Sequence, residues 1–306
     1  MVTQLITSIQ NLLQQLSIYL SLTQRKEIYR LKRDNSKLMS TTAFITLEGN
    51  KNPYVRFGSG PKLLVALPGY GDRKEVFLNL ATALSATYTV YAIDLPGHGE
   101  SEWAQDVFSK SDLEKLIQAI LQKENKTQFT LMGHSFGSRA ILSMLPTFAD
   151  VLDEIILLAP DGLDEGYMRR ATLLPKGIRK LLQRFLKNPN WYIGLVTAFN
   201  KIGLLKDYSL HFVKLNFANP KRRKRLFLFW NSMDEFIIKP KAVSQLLNDK
   251  KVSVQIILGK RDFVIPGAAW KEWAKNLDSV SLVELEADHR IVGGELNVYF
   301  LSWYGA

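Results

Sequence analysis

Cysteine is absent from the 306 residues of this chain. A chain without thiols has no disulfide framework, thiolate zinc site or iron–sulfur cluster, and it cannot use a cysteine nucleophile. It also lacks any uninterrupted apolar run of the roughly 18 residues that a membrane-spanning helix needs. The first residues show neither a basic start before an apolar stretch nor a small-residue cleavage site. We therefore expect a cytoplasmic protein that is neither secreted nor integral to a membrane.

The composition is that of an ordinary globular protein. Apolar residues make up 46% of the chain and charged residues 23%, with 19 glycines and 11 prolines. These values exclude disordered, collagen-like and low-complexity classes. A chain of this length can bury its own core as one large domain or two modest ones.

Positive charge is concentrated in one segment. The formal net charge is +11, and residues 161–230 hold fifteen lysines and arginines against four acids, which accounts for the whole excess. Such a shift in composition predicts an inserted unit at 161–235, between the two parts of a core at 41–160 and 236–306. Apolar residues recur in the insert at helical spacing. Its aromatic residues include Phe185, Trp191, Tyr192 and Phe199.

Residues 1–40 precede the core as a predicted helical extension. Apolar side chains recur every three to four residues over 1–24, and residues 25–37 carry six basic and two acidic side chains. Two interpretations stay open. The extension, together with the basic insert, lies on an anionic membrane surface, or it packs on its own protein or on a second copy. The oligomeric state does not follow from the sequence.

The core alternates short strand-like runs with helical stretches, which predicts a mostly parallel sheet covered on both faces. The predicted strands are Ala43–Leu47, Tyr54–Phe57, Leu63–Leu67, Thr87–Ile93, Phe129–Met132, Glu154–Leu158, Val252–Leu258 and Val280–Glu286. A capping box at Ser111–Glu114 is expected to open the helix that runs to about Gln122.

The pentapeptide Gly133-His-Ser-Phe-Gly137 matches G-x-S-x-G, between a predicted strand and a predicted helix. In that context the serine lies on a sharp strand-to-helix turn that projects its hydroxyl beyond the sheet edge. Small residues two positions before and after it leave room for the strained backbone. Ser135 is therefore the candidate nucleophile.

A serine hydroxyl needs an imidazole to accept its proton. The chain has four histidines: His98, His134, His211 and His289. His289 follows the last predicted strand, in a loop that can reach over the sheet edge, and is the best candidate base. We expect His98 in a structural turn, His134 packed beside the elbow and His211 in the insert.

The third residue must be a carboxylate that orients the imidazole. Asp262 follows the strand Val252–Leu258 directly and is the preferred candidate. Asp161, in the loop after the sixth strand, is the alternative acid. Ser135, Asp262 and His289 occur in the chain order that belongs to the α/β-hydrolase fold.

On these residues the chain resembles the α/β-hydrolases, in particular the lipase, esterase and C–C hydrolase branch with a lid inserted after the sixth strand. The resemblance runs from about Thr41 to Tyr304. Its motifs are Leu67-Pro-Gly-Tyr-Gly71, Asp94-Leu-Pro-Gly-His-Gly-Glu-Ser101, the serine elbow, and the loops of the acid and the base. The resemblance implies an eight-stranded sheet flanked by helices, with residues 161–235 as a helical lid.

The resemblance also implies an oxyanion hole made by the backbone N–H groups of Tyr70 and Phe136. The chain departs from the family pattern in having Pro68-Gly69 where relatives commonly have His-Gly. Proline supplies no N–H donor, but the donor that the family uses here is the one at Tyr70. The proline is therefore expected to change the local geometry of the loop and not the donor itself.

These features predict a serine hydrolase that forms an acyl-enzyme with a carboxylic ester bearing a hydrophobic acyl or aryl group. C–C bond hydrolysis, thioester hydrolysis and acyl transfer use the same constellation. A hydrolase-fold protein that binds a ligand without turnover is the alternative from another class.

No metal or cofactor is expected, because the chain has no H-E-x-x-H helix, P-loop or dinucleotide fingerprint. The basic run Lys221–Arg225 resembles a nucleic-acid patch, but a solvated charged face is the simpler interpretation. We expect a small-molecule substrate and no nucleic-acid partner.

Overall fold

The computed structural model describes residues 40–163, 177, 183–184, 188–203, 210, 214 and 216–304. Nearly all of the predicted extension at 1–40 lies outside these residues, as do Phe185 and His211. Membrane association through residues 1–37 therefore stays a prediction. Within the described ranges, no helix has the length and apolar character needed to cross a bilayer.

The core is one eight-stranded sheet. Its spatial order is β1-β2-β4-β3-β5-β6-β7-β8; β1 and β2 are antiparallel to their neighbours and the other pairs are parallel. The strands are β1 Thr41–Leu47, β2 Asn50–Phe57, β3 Lys62–Leu67, β4 Tyr88–Ile93, β5 Phe129–His134, β6 Leu152–Leu158, β7 Ser253–Gly259 and β8 Val280–Leu285. The predicted mostly parallel sheet of eight strands is confirmed.

Helices cover both faces of the sheet. The α-helices whose bounds lie within the described residues are α1 Ala81–Leu84, α2 Lys110–Glu124, α3 Phe136–Phe148, α4 Pro189–Lys201, α5 Pro220–Ser232, α6 Pro240–Lys250, α7 Ala268–Ala274 and α8 Gly294–Tyr304. Two 3₁₀ helices span Lys74–Leu80 and Met233–Phe236. Helices α2 and α3 pack on one face, while α1, α8 and the first 3₁₀ helix pack on the other.

Strand β3 shows why buried runs form the middle of the sheet. Leu63, Val65 and Leu67 point into one core, and Leu64 and Ala66 point into the other. Successive side chains of a strand face opposite sides, so a strand covered on both faces is mostly apolar along its buried length.

The start of α2 differs from the prediction. The N-cap is Ser109, whose hydroxyl accepts a hydrogen bond from the Asp112 N–H, and the Asp112 carboxylate accepts one from the Ser109 N–H. The predicted box at Ser111–Glu114 is therefore wrong by two residues. The prediction chose Ser111 because glutamate, the usual third residue after the cap, stands at 114. In the structure an aspartate, Asp112, makes the same reciprocal hydrogen bonds with Ser109.

A buried ion pair joins the loops that follow β3 and β4. The ammonium of Lys74, whose side chain is 0% exposed, lies 3.1 Å from Asp94 Oδ2 and 3.1 Å from Glu100 Oε2. Burial raises the pKa of Asp94, and the Lys74 backbone N–H is the first of the contacts that oppose this rise. Burial also acts to lower the pKa of Lys74, but the hydrogen bonds that its ammonium donates to the acids, beginning with Glu75, and the charge of Asp94 raise it overall.

Lys74→Met should lower the free energy of unfolding by about 3–5 kcal/mol, because it leaves the Asp94 carboxylate buried without its cation. The measurement is urea denaturation followed by circular dichroism. Lys115→Met is the matched control, since Lys115 pairs with Glu48 at the exposed surface, and no measurable change is expected. Equal effects of the two substitutions would contradict a structural role for the buried pair.

Candidate active site

The motif serine occupies a strained turn between β5 and α3. Ser135 has φ 50° and ψ −115°, a backbone conformation that residues other than glycine rarely adopt. The Ser135 N–H donates to the Leu158 carbonyl oxygen at 2.9 Å, and the Ser138 N–H donates to the Ser135 carbonyl oxygen at 3.0 Å. The surrounding backbone therefore holds the turn in place.

The two glycines of the motif are required by close backbone contacts. A β-carbon on Gly137 would lie 2.1 Å from the Leu67 carbonyl oxygen, and one on Gly133 would lie 2.5 Å from the Ser138 nitrogen. Both distances are far inside van der Waals contact. Only glycine lets α3 begin this close to β3 and β5.

Loops from β7 and β8 bring an acid and an imidazole to Ser135. The Ser135 hydroxyl is 3.0 Å from His289 Nε2, and His289 Nδ1 is 2.8 Å from Asp262 Oδ2. The Asp262 side chain is 3% exposed and that of His289 is 19% exposed. The carboxylate is thus shielded from solvent, while the imidazole is partly exposed.

The Asp262 carboxylate is held by its own loop. Its Oδ1 accepts hydrogen bonds from the N–H groups of Val264 and Ile265, both at 2.8 Å. These bonds leave Oδ2 directed at His289 Nδ1. Because a carboxylate only accepts, His289 donates from Nδ1 and presents Nε2 as an acceptor to the serine hydroxyl.

The alternative acid lies elsewhere. Asp161 accepts two hydrogen bonds from the Arg139 guanidinium, at 2.9 and 3.0 Å, and its own N–H donates to the Ser135 carbonyl oxygen at 3.2 Å. This bidentate pair joins the loop after β6 to α3. The structure brings Asp262, and not Asp161, to His289.

His134 connects three parts of the site. Its Nε2 lies 2.8 Å from the His289 carbonyl oxygen, and its Nδ1 lies 3.1 Å from Asp72 Oδ2. Both partners are acceptors, and a neutral imidazole has only one N–H. A neutral His134 beside an ionised Asp72 therefore donates to one of the two partners and not to both. Sequence reasoning treated His134 as packing and missed Asp72, since no local motif links positions 62 residues apart.

The loop after β3 runs directly over the serine. A β-carbon on Gly69 would lie 3.1 Å from the Ser135 β-carbon, so Tyr70 follows at the edge of the site. Phe136 is the first residue of α3, where a backbone N–H has no partner within the helix. The two expected oxyanion donors thus belong to two backbone segments that both lie next to Ser135.

Aromatic rings form one wall beside the serine. The Phe229 ring of α5 lies 4.5 Å from the Tyr70 ring and 4.6 Å from the Phe136 ring, centroid to centroid. His98 joins this group with its Nδ1 at 3.0 Å from the Pro96 carbonyl oxygen. Burial lowers the pKa of His98 to about 4, so its ring is neutral near pH 7.

Over the described ranges, no group of three or more histidine and acidic side chains has the geometry of a metal site.

Similarity to known proteins identifies the fold. A family model for the α/β-hydrolase fold matches residues 62–193. An uncharacterized protein of Mycobacterium tuberculosis is 28% identical over 158 residues, which are 51% of this chain and 46% of that protein. The pimeloyl-acyl-carrier-protein methyl ester esterase of Aeromonas hydrophila is 34% identical over 105 residues, which are 34% of this chain and 39% of the esterase.

Among solved structures, a bacterial membrane phospholipase A matches with a TM-score of 0.61 and 16% identity, covering 93% of this chain and 91% of that one. The chain therefore has the α/β-hydrolase fold, and the predicted fold class is confirmed. The alignments span less than half the length of the two curated relatives.

Gly137→Ala should lower the free energy of unfolding by at least about 2 kcal/mol, because the added methyl group collides with the Leu67 carbonyl. Thermal or urea denaturation measures the loss. Gly194→Ala in α4 is the matched control: nothing lies within 4 Å of its added carbon, so stability should stay unchanged or rise by up to about 1 kcal/mol. Similar behaviour of the two variants would argue against a tight elbow.

Proposed function

We propose that this protein is a serine hydrolase that cleaves carboxylic esters through an acyl-enzyme. The observation that carries the proposal is the continuous hydrogen-bonded chain from the Ser135 hydroxyl through His289 to Asp262, at a turn that exposes the serine. The named relatives, which include an ester hydrolase and a phospholipase, support hydrolysis as the reaction class.

In the first half-reaction, the Ser135 oxygen attacks the ester carbonyl carbon while its proton passes to His289 Nε2. Asp262 stabilises the imidazolium that results without accepting its proton. The tetrahedral intermediate then expels the alcohol, which takes the proton from His289. The products are the free alcohol and Ser135 esterified with the acyl group.

In the second half-reaction, water takes the place of the alcohol. His289 accepts a proton from water as the water oxygen attacks the acyl-enzyme. Collapse of the second tetrahedral intermediate breaks the bond to Ser135, whose oxygen recovers the proton from His289. The acid product leaves and the enzyme is unchanged.

In both halves, the negative oxygen of the intermediate is stabilised by the backbone N–H groups of Tyr70 and Phe136. The close approach of Gly69 to the serine β-carbon supports this role. Such donors are already oriented before the charge develops, so they stabilise the transition state without reorganising.

The substrate in this proposal carries a hydrophobic acyl or aryl group. The support is the aromatic wall of Tyr70, Phe136 and Phe229 next to the nucleophile. Residues 161–235 act as the lid. Helix α5 supports this assignment, because it lies against the loop after β4, where a β-carbon on Gly97 would be 2.6 Å from Leu228 Cδ2.

Ser135→Ala should abolish covalent labelling by a fluorophosphonate probe and lower kcat for an aryl ester by about 10⁴-fold or more, because the attacking oxygen is removed. Labelling is read by intact mass, and turnover by 4-nitrophenol release. Ser302→Ala, at an exposed serine of α8, is the control and should label fully. A folded wild-type protein that is not labelled would favour the ligand-binding alternative.

Asp262→Asn should lower kcat by about 10³- to 10⁴-fold while the protein stays folded, because the amide no longer fixes the tautomer of His289. Asp161→Asn should weaken the bond to Arg139 and lower the thermal midpoint with at most a small change in kcat. The two variants are compared by steady-state kinetics on the same ester. If only the Asp161 variant loses turnover, Asp161 is the catalytic acid.

A further inference from the structure

A guanidinium lies at the edge of the candidate active site. Arg225 of α5 places its Cζ 5.3 Å from the centroid of the Tyr70 ring. Its Nη2 would be 3.8 Å from a β-carbon on Gly71. Tyr70 and Gly71 belong to the loop that passes close to the serine, so Arg225 lies next to the loop that carries one of the proposed oxyanion donors.

The Arg225 guanidinium has no anionic partner among the described residues. Its Nε is buried and makes no hydrogen bond with them. The acid of the neighbouring loop, Asp72, is bound to His134. Arg139 provides the contrast, because its guanidinium is met by both carboxylate oxygens of Asp161.

The described part of the surroundings supplies no acid to pair with this charge. Helix α5 has five consecutive basic residues, Lys221–Arg225, and no acidic residue. His98 also packs against Tyr70, with a pKa lowered to about 4 by burial, so it contributes no charge at neutral pH. A partly buried guanidinium that lacks a counter-charge binds carboxylate or phosphate oxygens strongly.

We propose that Arg225 binds an anionic group of the substrate, so that the preferred ester carries a carboxylate or phosphate on the part of the molecule that extends past Tyr70. This inference rests on the proposed ester hydrolysis and names its substrate class. The guanidinium holds the anionic end while the aromatic wall covers the apolar part between that end and the carbonyl.

The test uses two matched esters: the 4-nitrophenyl monoester of a six- to eight-carbon dicarboxylic acid, and the same compound with its distal carboxylate capped as a methyl ester. The wild-type protein should have the higher kcat/KM for the anionic compound. Arg225→Gln should lower kcat/KM for that compound by about 10- to 100-fold, the effect of losing a charge-assisted hydrogen bond, and leave the capped compound within about twofold. A 4-nitrophenyl ester with a distal phosphate, run in parallel, shows which oxyanion is preferred.

Two variants control for general charge and for folding. Arg222→Gln removes an exposed charge from the same helix and should leave the preference intact. Arg225→Lys keeps the charge without the planar fork and should retain part of the preference.

Equal losses on both compounds with Arg225→Gln, or no change on either, would overturn the assignment of Arg225. Equal sensitivity of Arg222 and Arg225 would assign the preference to the general charge of α5 and likewise overturn it. If the wild type hydrolyses neither compound and Ser135 takes no fluorophosphonate label, it is the proposed ester hydrolysis that fails, and this inference falls with it.

Discussion

The contact between the start of α3 and strand β3 is the constraint on which the site depends. A serine with positive φ is strained, and the turn persists because Gly137 lets the helix approach the Leu67 carbonyl and because the Leu158 carbonyl accepts the serine N–H. The same approach brings the loop after β3 over the serine. One close packing contact therefore orients the candidate nucleophile and sets the position of the Tyr70 backbone.

Parallel strands explain how residues so far apart in sequence meet. The carboxyl ends of β5, β7 and β8 lie at one edge of the sheet, so the loops that carry Ser135, Asp262 and His289 are neighbours in space. Each loop is held by bonds of its own. Asp262 is fixed by two backbone N–H groups, and the His289 carbonyl is held by His134. The backbone of His289 is therefore held in place while its imidazole contacts the Ser135 hydroxyl.

The sequence predicted the parts of the molecule that depend on local pattern. Buried strands appear in the sequence as apolar runs. The turn at Ser135 appears as the pentapeptide G-x-S-x-G, in which the glycines are needed because a larger residue would collide with the backbone. The capping box was misplaced because two serines at 109 and 111 compete and only the turn geometry selects the first. The His134–Asp72 contact and the Arg225–Tyr70 contact were not predicted, since each depends on how two separate loops or helices pack.

Net charge and local charge carry different information in this protein. The net charge of +11 comes from one basic segment of the sequence. A charged face exposed to solvent is enough to account for such a segment without any function. The role of an individual basic side chain depends on whether the fold places a carboxylate next to it. Lys74 and Arg139 are buried and paired with carboxylates, so they stabilise the fold. Arg225 lies against Tyr70 with its Nε buried and no anionic partner among the described residues, which is the ground on which we propose a substrate anion as its counter-charge.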